Sequence, residues 1–364
     1  MKNEYFHLLS SRGCVNLLMI AFILKAKKLR ENKGIEIMDY TVDEVRQELQ
    51  AIRERVHHGE LFDSMGAEIG RLIDQFDYDA PTTVAQLDAA TASTLQEKLS
   101  DWQTALIAGE PVVVTDQDVL DMMTGMRQTD PELRDRGVFF FVSDGLQNHI
   151  FSDNQVVMMT RYLLQDSVLF SHITETNNDG IFFRSFAVFI LSMLNYANRT
   201  NDFDLFTDDL HEMMIDNLAT YIALEHDTRG FVEGKGWAHT FLHVGNMLDD
   251  LSNDDAVTRA DKIFLLTVLI ERIKRLETPL VMGENRRIDS YIVTLVNMNP
   301  LYRDYFLKQL KQWRQEMTRQ MQPEVEADWH RMYNQQRLLQ GLLLREKLPK
   351  EIYNYLNEAR NFLA

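Results

Sequence analysis

The chain has 364 residues, with 38 Lys plus Arg against 55 Asp plus Glu and a formal net charge of −17. That balance argues against nucleic-acid recognition through a basic surface, because such affinity comes from cations displacing counterions from phosphates. Hydrophobic residues make up 45% of the chain, which leaves no compositional case for disorder, and the single cysteine, Cys14, rules out an internal disulfide and a cysteine-built zinc or redox site.

In chain order, the first feature is the apolar run Cys14 to Leu24, 11 residues long. It falls well short of the roughly 20 that a membrane helix needs. A signal-peptide core would have its positive charge ahead of the apolar run, whereas Lys25, Lys27, Lys28 and Arg30 follow it. Lys33-Gly34 can be encoded as a ribosome-binding sequence three codons before Met38. The expectation is therefore a misassigned start over residues 1–37, with translation from Met38, in preference to a leader or a membrane anchor.

From Met38 the pattern is helical. Thr41 with Glu44 and Thr115 with Asp118 read as capping pairs, and Asp130-Pro131-Glu132 puts proline at a first helical position. Segments of helical length and period run over Val42–Val56, Leu61–Phe76, Val84–Ile107 and Val156–Leu169. Two short apolar runs, Val112–Val114 and Val138–Val142, are candidate strands without a partner. Residues 38–127 read as an N-terminal helical section.

In Ile181–Ala197, apolar side chains go almost all the way round a helix, which predicts burial on most sides. Arg184 shares the narrow remaining stripe with Asn195, and a guanidinium there needs a carboxylate partner. Glu225 and Asp227 are the candidates. The intervening stretch Asn201–Thr228 holds eight acids and no Lys or Arg; a solvated acidic face accounts for most of them.

Next come Gly230, Gly234 and Gly236, three glycines within seven residues, which mark a loop with unusual backbone angles. A helix is expected to begin near Trp237. The spacing does not fit a phosphate loop, because no Ser or Thr follows Lys235. Continued at helical steps, Phe241, Val244, Leu248 and Leu251 fall on the side of Trp237. His239, His243, Asn246 and Asp250 share the opposite stripe. Two histidines four apart can chelate a divalent metal, with Asp250 or Asp227 completing the site. The stripe also reads as a groove wall or as hydrogen bonding to the glycine loop, or as a metal-free acid/base site. The zincin pattern is absent, since Thr240 stands where its glutamate would be.

The run Arg229-Gly230-Phe231, Gly234-Lys235-Gly236-Trp237-Ala238-His239 and His243 resembles the signature of the bacterial domain of unknown function 2785 family. Leu133-Arg134-Asp135 and Phe183-Arg184-Ser185-Phe186 match its upstream pattern. The resemblance covers about residues 128 to 300 and implies a helical bacterial protein typical of Gram-positive species, with no established activity. Asn246 stands where the family usually shows an Asp, which weakens the metal reading.

From Pro300 to the end there are 11 basic and 8 acidic residues. Tyr302, Tyr305, Phe306, Leu310 and Trp313 repeat at three- and four-residue steps, so residues 301–364 are expected to pack on the preceding helices. Interspersed acids disfavour membrane-surface binding. The reading is an all-α stack of helical hairpins, HEAT-like or closing toward an α/α toroid. It is a cytoplasmic module binding a small molecule or peptide through a groove lined by Arg184, Asp227, Arg229, Lys235, Trp237, His239, His243 and Asn246. The alternative is a metal-dependent or acid/base hydrolase using His239 and His243, with Asp250 as a third metal ligand.

Overall fold

The computed structural model describes residues 40–200, 205–319 and 322–359. The expectations about Cys14, the apolar run after it and a start at Met38 fall outside these residues. Helix α1 (Val42–His57) opens on the Thr41–Glu44 capping box, with the Glu44 amide donating to Thr41 Oγ1 and the Thr41 amide to the Glu44 carboxylate. Helices α2 (Met65–Gln75), α3 (Ala89–Ala108) and α4 (Asp116–Gly125) follow, the last capped reciprocally by Thr115 and Asp118.

The run Val138–Val142 is not a strand. It spans the junction between a π-helical segment, Glu132–Phe139, and α5 (Phe140–Gln147). Val138, Phe141 and Val142 are buried while Phe140 is exposed, the one-three-four spacing of a helix rather than strand alternation. Val112–Val114 is irregular. The single helix expected over Val156–Leu169 is two, α6 (Asp153–Leu163) and α7 (Asp166–Leu169), because Gln165 between them is extended.

Helix α8 (Gly180–Thr200) is the buried helix that its all-round apolarity predicts, with Phe182, Phe183 and Phe186 in the core. Each such ring contributes roughly 2–3 kcal/mol on leaving water. The helix is long and apolar enough to cross a membrane, but lies largely inside the fold. After it come α9 (Asp208–Leu224), a two-stranded ribbon of β1 (Phe231–Val232) and β2 (Gly236–Trp237), then α10 (Thr240–Ser252) and α11 (Arg259–Ile273). Helices α12 (Glu284–Met298), α13 (Pro300–Arg319), α14 (Glu326–Leu343) and α15 (Lys350–Glu358) complete the described chain.

Among the described residues the fold is all-α apart from that ribbon. Helix α8 packs on α10, α10 on α12, and α12 on both α13 and α14; α9 packs on α11, with α1 lying across both and α2 on α11. One continuous core runs from Val45 to Leu356. Tyr302, Tyr305, Phe306, Leu310 and Trp313 are all buried in it, as their spacing requires.

Candidate functional site

Helix α9 ends at Leu224, and the extended backbone of Glu225 turns the chain into the glycine-rich segment. Phe231 pairs with Trp237 and Val232 with Gly236 in an antiparallel hairpin, closed by the Lys235 amide donating to the Val232 carbonyl at 3.0 Å. Gly234 (φ +73°) and Gly236 (φ +76°) supply left-handed angles that other residues rarely adopt. A Cβ on Gly236 would come within 3.0 Å of the Pro131 side chain, and one on Gly230 within 2.4 Å of Met282. The glycines therefore serve close packing as well as turning.

This geometry corrects the expected helix start. Trp237 is a strand residue, 40% exposed, and α10 begins only at Thr240, after His239 in a left-handed conformation (φ +50°). The apolar stripe from Phe241 through Val244 and Leu248 to Leu251 is buried as expected. Trp237 shared that period without belonging to the helix.

Arginines lock the hairpin from beneath. Arg184, on α8, donates from Nε and Nη2 to the Glu225 carboxylate at 2.6 and 3.0 Å, and from Nη1 to the Ser171 carbonyl. Burial works against the charge on Glu225, but the guanidinium beside it and the backbone amide of Asp227 hold its carboxyl below the usual range. Of the two candidate partners for Arg184, Glu225 is the one used. Asp227 instead accepts from Nε and Nη2 of Arg229, whose Nη2 also reaches the Asn178 carbonyl at 2.7 Å. Lys235 Nζ pairs with Asp179. Both guanidinium groups are thus engaged within the fold.

A third arginine has the same task. Arg134, fully buried on the π-helical segment, donates from Nη2 to the Lys235 carbonyl at 2.7 Å and lies over the rings of Phe182 and Phe186. The three sequence stretches around Arg134, Arg184 and Arg229 therefore meet at one place.

The polar stripe does not act as a unit. His243 Nδ1 bonds to the Ser185 carbonyl at 3.0 Å, and the ring stacks on Phe189 with centroids 4.4 Å apart. Burial depresses its pKa to about 3, with the positive charge of Arg134 acting in the same direction, so the imidazole is neutral near pH 7. His239 lies off the helix and contacts Met282 and Glu284. Asn246 accepts from Arg287, and Asp250 accepts from Asn195 and Arg199. Asp250 lies seven residues beyond His243, roughly 10 Å along the helix. The set His239, His243 and Asp250 therefore does not close around a metal. Among the described residues, no three His, Cys, Asp or Glu side chains form a metal-ligand group.

The hairpin does present aromatic surface. Phe231, 49% exposed, meets Trp237 edge-on at 5.2 Å, and Trp237 stacks on His239 at 4.0 Å. Val281 and Met282, also exposed, belong to the loop that the hairpin packs against through Gly230. A broad depression of about 530 Å³ opens elsewhere, lined by Thr41, Asp166, Phe170, His172 and Glu175 among others, without any of the signature residues. The sequence did not single out Glu284, Met282 or the Asn178–Asp179 turn. All three act through long-range contacts with no local spacing signal.

Residues 169–344 match the model of a family described as a protein of unknown function (DUF2785). No curated protein and no solved structure matches the chain.

Proposed function

We propose, for a chain whose residues 169–344 belong to the DUF2785 family, that it is a recognition module. Its binding element is the glycine-rich hairpin, and the helices, read as stacked hairpins, are the scaffold. The single observation that carries this reading is that Phe231 and Trp237 stand exposed on a hairpin otherwise anchored from below. The anchoring is costly: a left-handed angle at His239, which is not glycine, and a fully desolvated Arg184–Glu225 pair. Spending this much on a rigid support for two exposed rings gives the fold little stability. It lowers the ordering cost of binding, and exposed Trp and Phe beside Met are the composition of an interaction hot spot.

The ligand class follows from the surroundings. Lys235, Arg229 and Arg134 are each paired with a neighbouring carboxylate, so the patch offers apolar rather than ionic contact. The net charge of −17 favours approach by a basic partner. A basic peptide segment presenting an aliphatic or aromatic anchor fits both, and the single cysteine supports a cytoplasmic setting.

The test is selection of displayed random peptides on the full chain, with W237A and F231A counter-screened. Basic peptides carrying an apolar anchor and losing at least tenfold in affinity on W237A are expected. Enriched peptides that bind all three proteins equally, or no enrichment, would remove the reading.

The hydrolase alternative draws on one observation, the approach of His239 to the Glu284 carboxylate. It lacks a second proton carrier, because His243 stays neutral, and neither Arg184 nor Arg229 is free to hold an anionic group.

A further inference from the structure

Beneath Trp237, two oxygens lie close to the His239 ring, the nearer of them, the Met282 carbonyl, accepting a hydrogen bond from Nε2. His239 Nε2 lies 3.1 Å from the Met282 carbonyl oxygen and 3.9 Å from Glu284 Oε1. Glu284 is 2% exposed; its Oε2 accepts from the Met282 amide at 2.9 Å, while Oε1 is buried with no hydrogen-bond partner. A buried carboxylate oxygen without a donor is costly and calls for an explanation.

A separation of 3.9 Å is too long for a hydrogen bond. It is near the ~3.4 Å between two donors on one tetrahedral ion with bonds of about 2.0–2.1 Å. Gly230 borders Oε1: a Cβ there would stand 3.4 Å from that oxygen, at ordinary contact distance. Glu284 is also the first residue of α12, which fixes its backbone beside the Met282 loop.

We propose that His239 Nε2, Glu284 Oε1 and the Met282 carbonyl bind one divalent ion of the zinc class, leaving a fourth position to water or an exogenous ligand. One imidazole with two oxygens suits zinc or manganese better than calcium or magnesium, which prefer all-oxygen sites, or copper(I), which prefers sulfur. The imidazole proton then resides on Nδ1, and the Nε2 lone pair faces the ion. This site shares only His239 with the set expected from spacing, and does not depend on the hairpin binding a peptide.

The experiment is equilibrium dialysis of zinc against chelator-treated, untagged full chain, with H239Q, E284Q and, as a surface control, H330Q. One zinc per chain is expected, weakened at least tenfold in H239Q and in E284Q and unchanged in H330Q. Absence of zinc binding overturns the proposal, as does equal retention in H239Q or E284Q, which would mean adventitious surface binding. Imidazole nitrogen NMR of the unaltered protein decides the matter even where a variant fails to fold. Zinc must shift Nε2 of His239, and a titration that leaves it unmoved refutes the site.

Discussion

The guanidinium of Arg184 lies against the carboxylate of Glu225 in a two-point contact, 2.6 and 3.0 Å long, with neither side chain exposed to solvent. Removing one partner leaves a buried, uncompensated charge. Arg184→Met is expected to cost about 3–5 kcal/mol in urea unfolding. Adding Glu225→Gln should recover much of that loss, because the amide oxygen can still accept from the backbone amides of His226 and Asp227 that Glu225 now serves. A double variant no more stable than Arg184→Met would show that the pair is not the main term.

Trp237→Ala should leave the fold nearly intact, because the ring is 40% exposed and its contacts are edge and stacking contacts to Phe231 and His239. A loss of about 1 kcal/mol is expected, against the roughly 3–5 of a fully buried aromatic. Thermal unfolding measures it, and a loss above about 3 kcal/mol would mean that the ring is buried in solution.

The hairpin glycines should rank by space. Gly234→Ala strains only the backbone, since nothing lies within 4 Å of its Cβ position, and about 1 kcal/mol is expected. Gly236→Ala adds crowding against Pro131, Asp135 and Arg134, and Gly230→Ala drives into Met282. Each should cost roughly 1–3 kcal/mol by overpacking. Melting temperatures that placed Gly234→Ala lowest would contradict the docking of the hairpin.

Acid should destabilise the protein through two desolvated histidines. Burial lowers the pKa of His243 to about 3 and of His226 to about 4, whereas an unfolded imidazole titrates near 6.5. Between those values the unfolded chain binds more protons, so stability falls as pH drops below about 6.5, by up to about 1.4 kcal/mol per pH unit and group. His243→Asn should flatten the slope by about one proton between pH 6.5 and 4, read from urea midpoints. An unchanged slope would mean that His243 is solvated.

Asp289, on α12, tilts the other way. It is buried opposite Gly341 of α14, with Arg345 at 3.5 Å, and desolvation raises its pKa to about 7 against the pull of that guanidinium. The folded state keeps this proton longer than the unfolded state, so its stability contribution is present in acid and is lost as pH rises from about 4 to 7. Asp289→Asn should therefore stabilise the chain at pH 8 more than at pH 5. The reverse order in paired unfolding curves would rule this out.

The sequence made α8 legible because its apolar residues surround the axis, a pattern only an enclosed helix satisfies, and the need of Arg184 for a carboxylate led to Glu225. Trp237 misled because it keeps the helical period of Phe241, Val244 and Leu248 while lying across the ribbon from Phe231. Period alone does not reveal a left-handed residue, and His239 adopts that angle without being glycine. Arg134 and Glu284 reach the site from 101 and 45 residues away, measured to Lys235 and His239, so no spacing rule finds them.

The position of Arg134 makes the unit that folds larger than the unit recognised by kinship. The matched stretch begins at residue 169, yet the guanidinium that holds the Lys235 carbonyl and covers Phe182 and Phe186 comes from upstream of it. Helix α1, lying across α9 and α11, is also upstream. A chain cut at residue 169 would keep the signature and lose its underside, baring aromatic surface to water and leaving the hairpin without one of its fastenings.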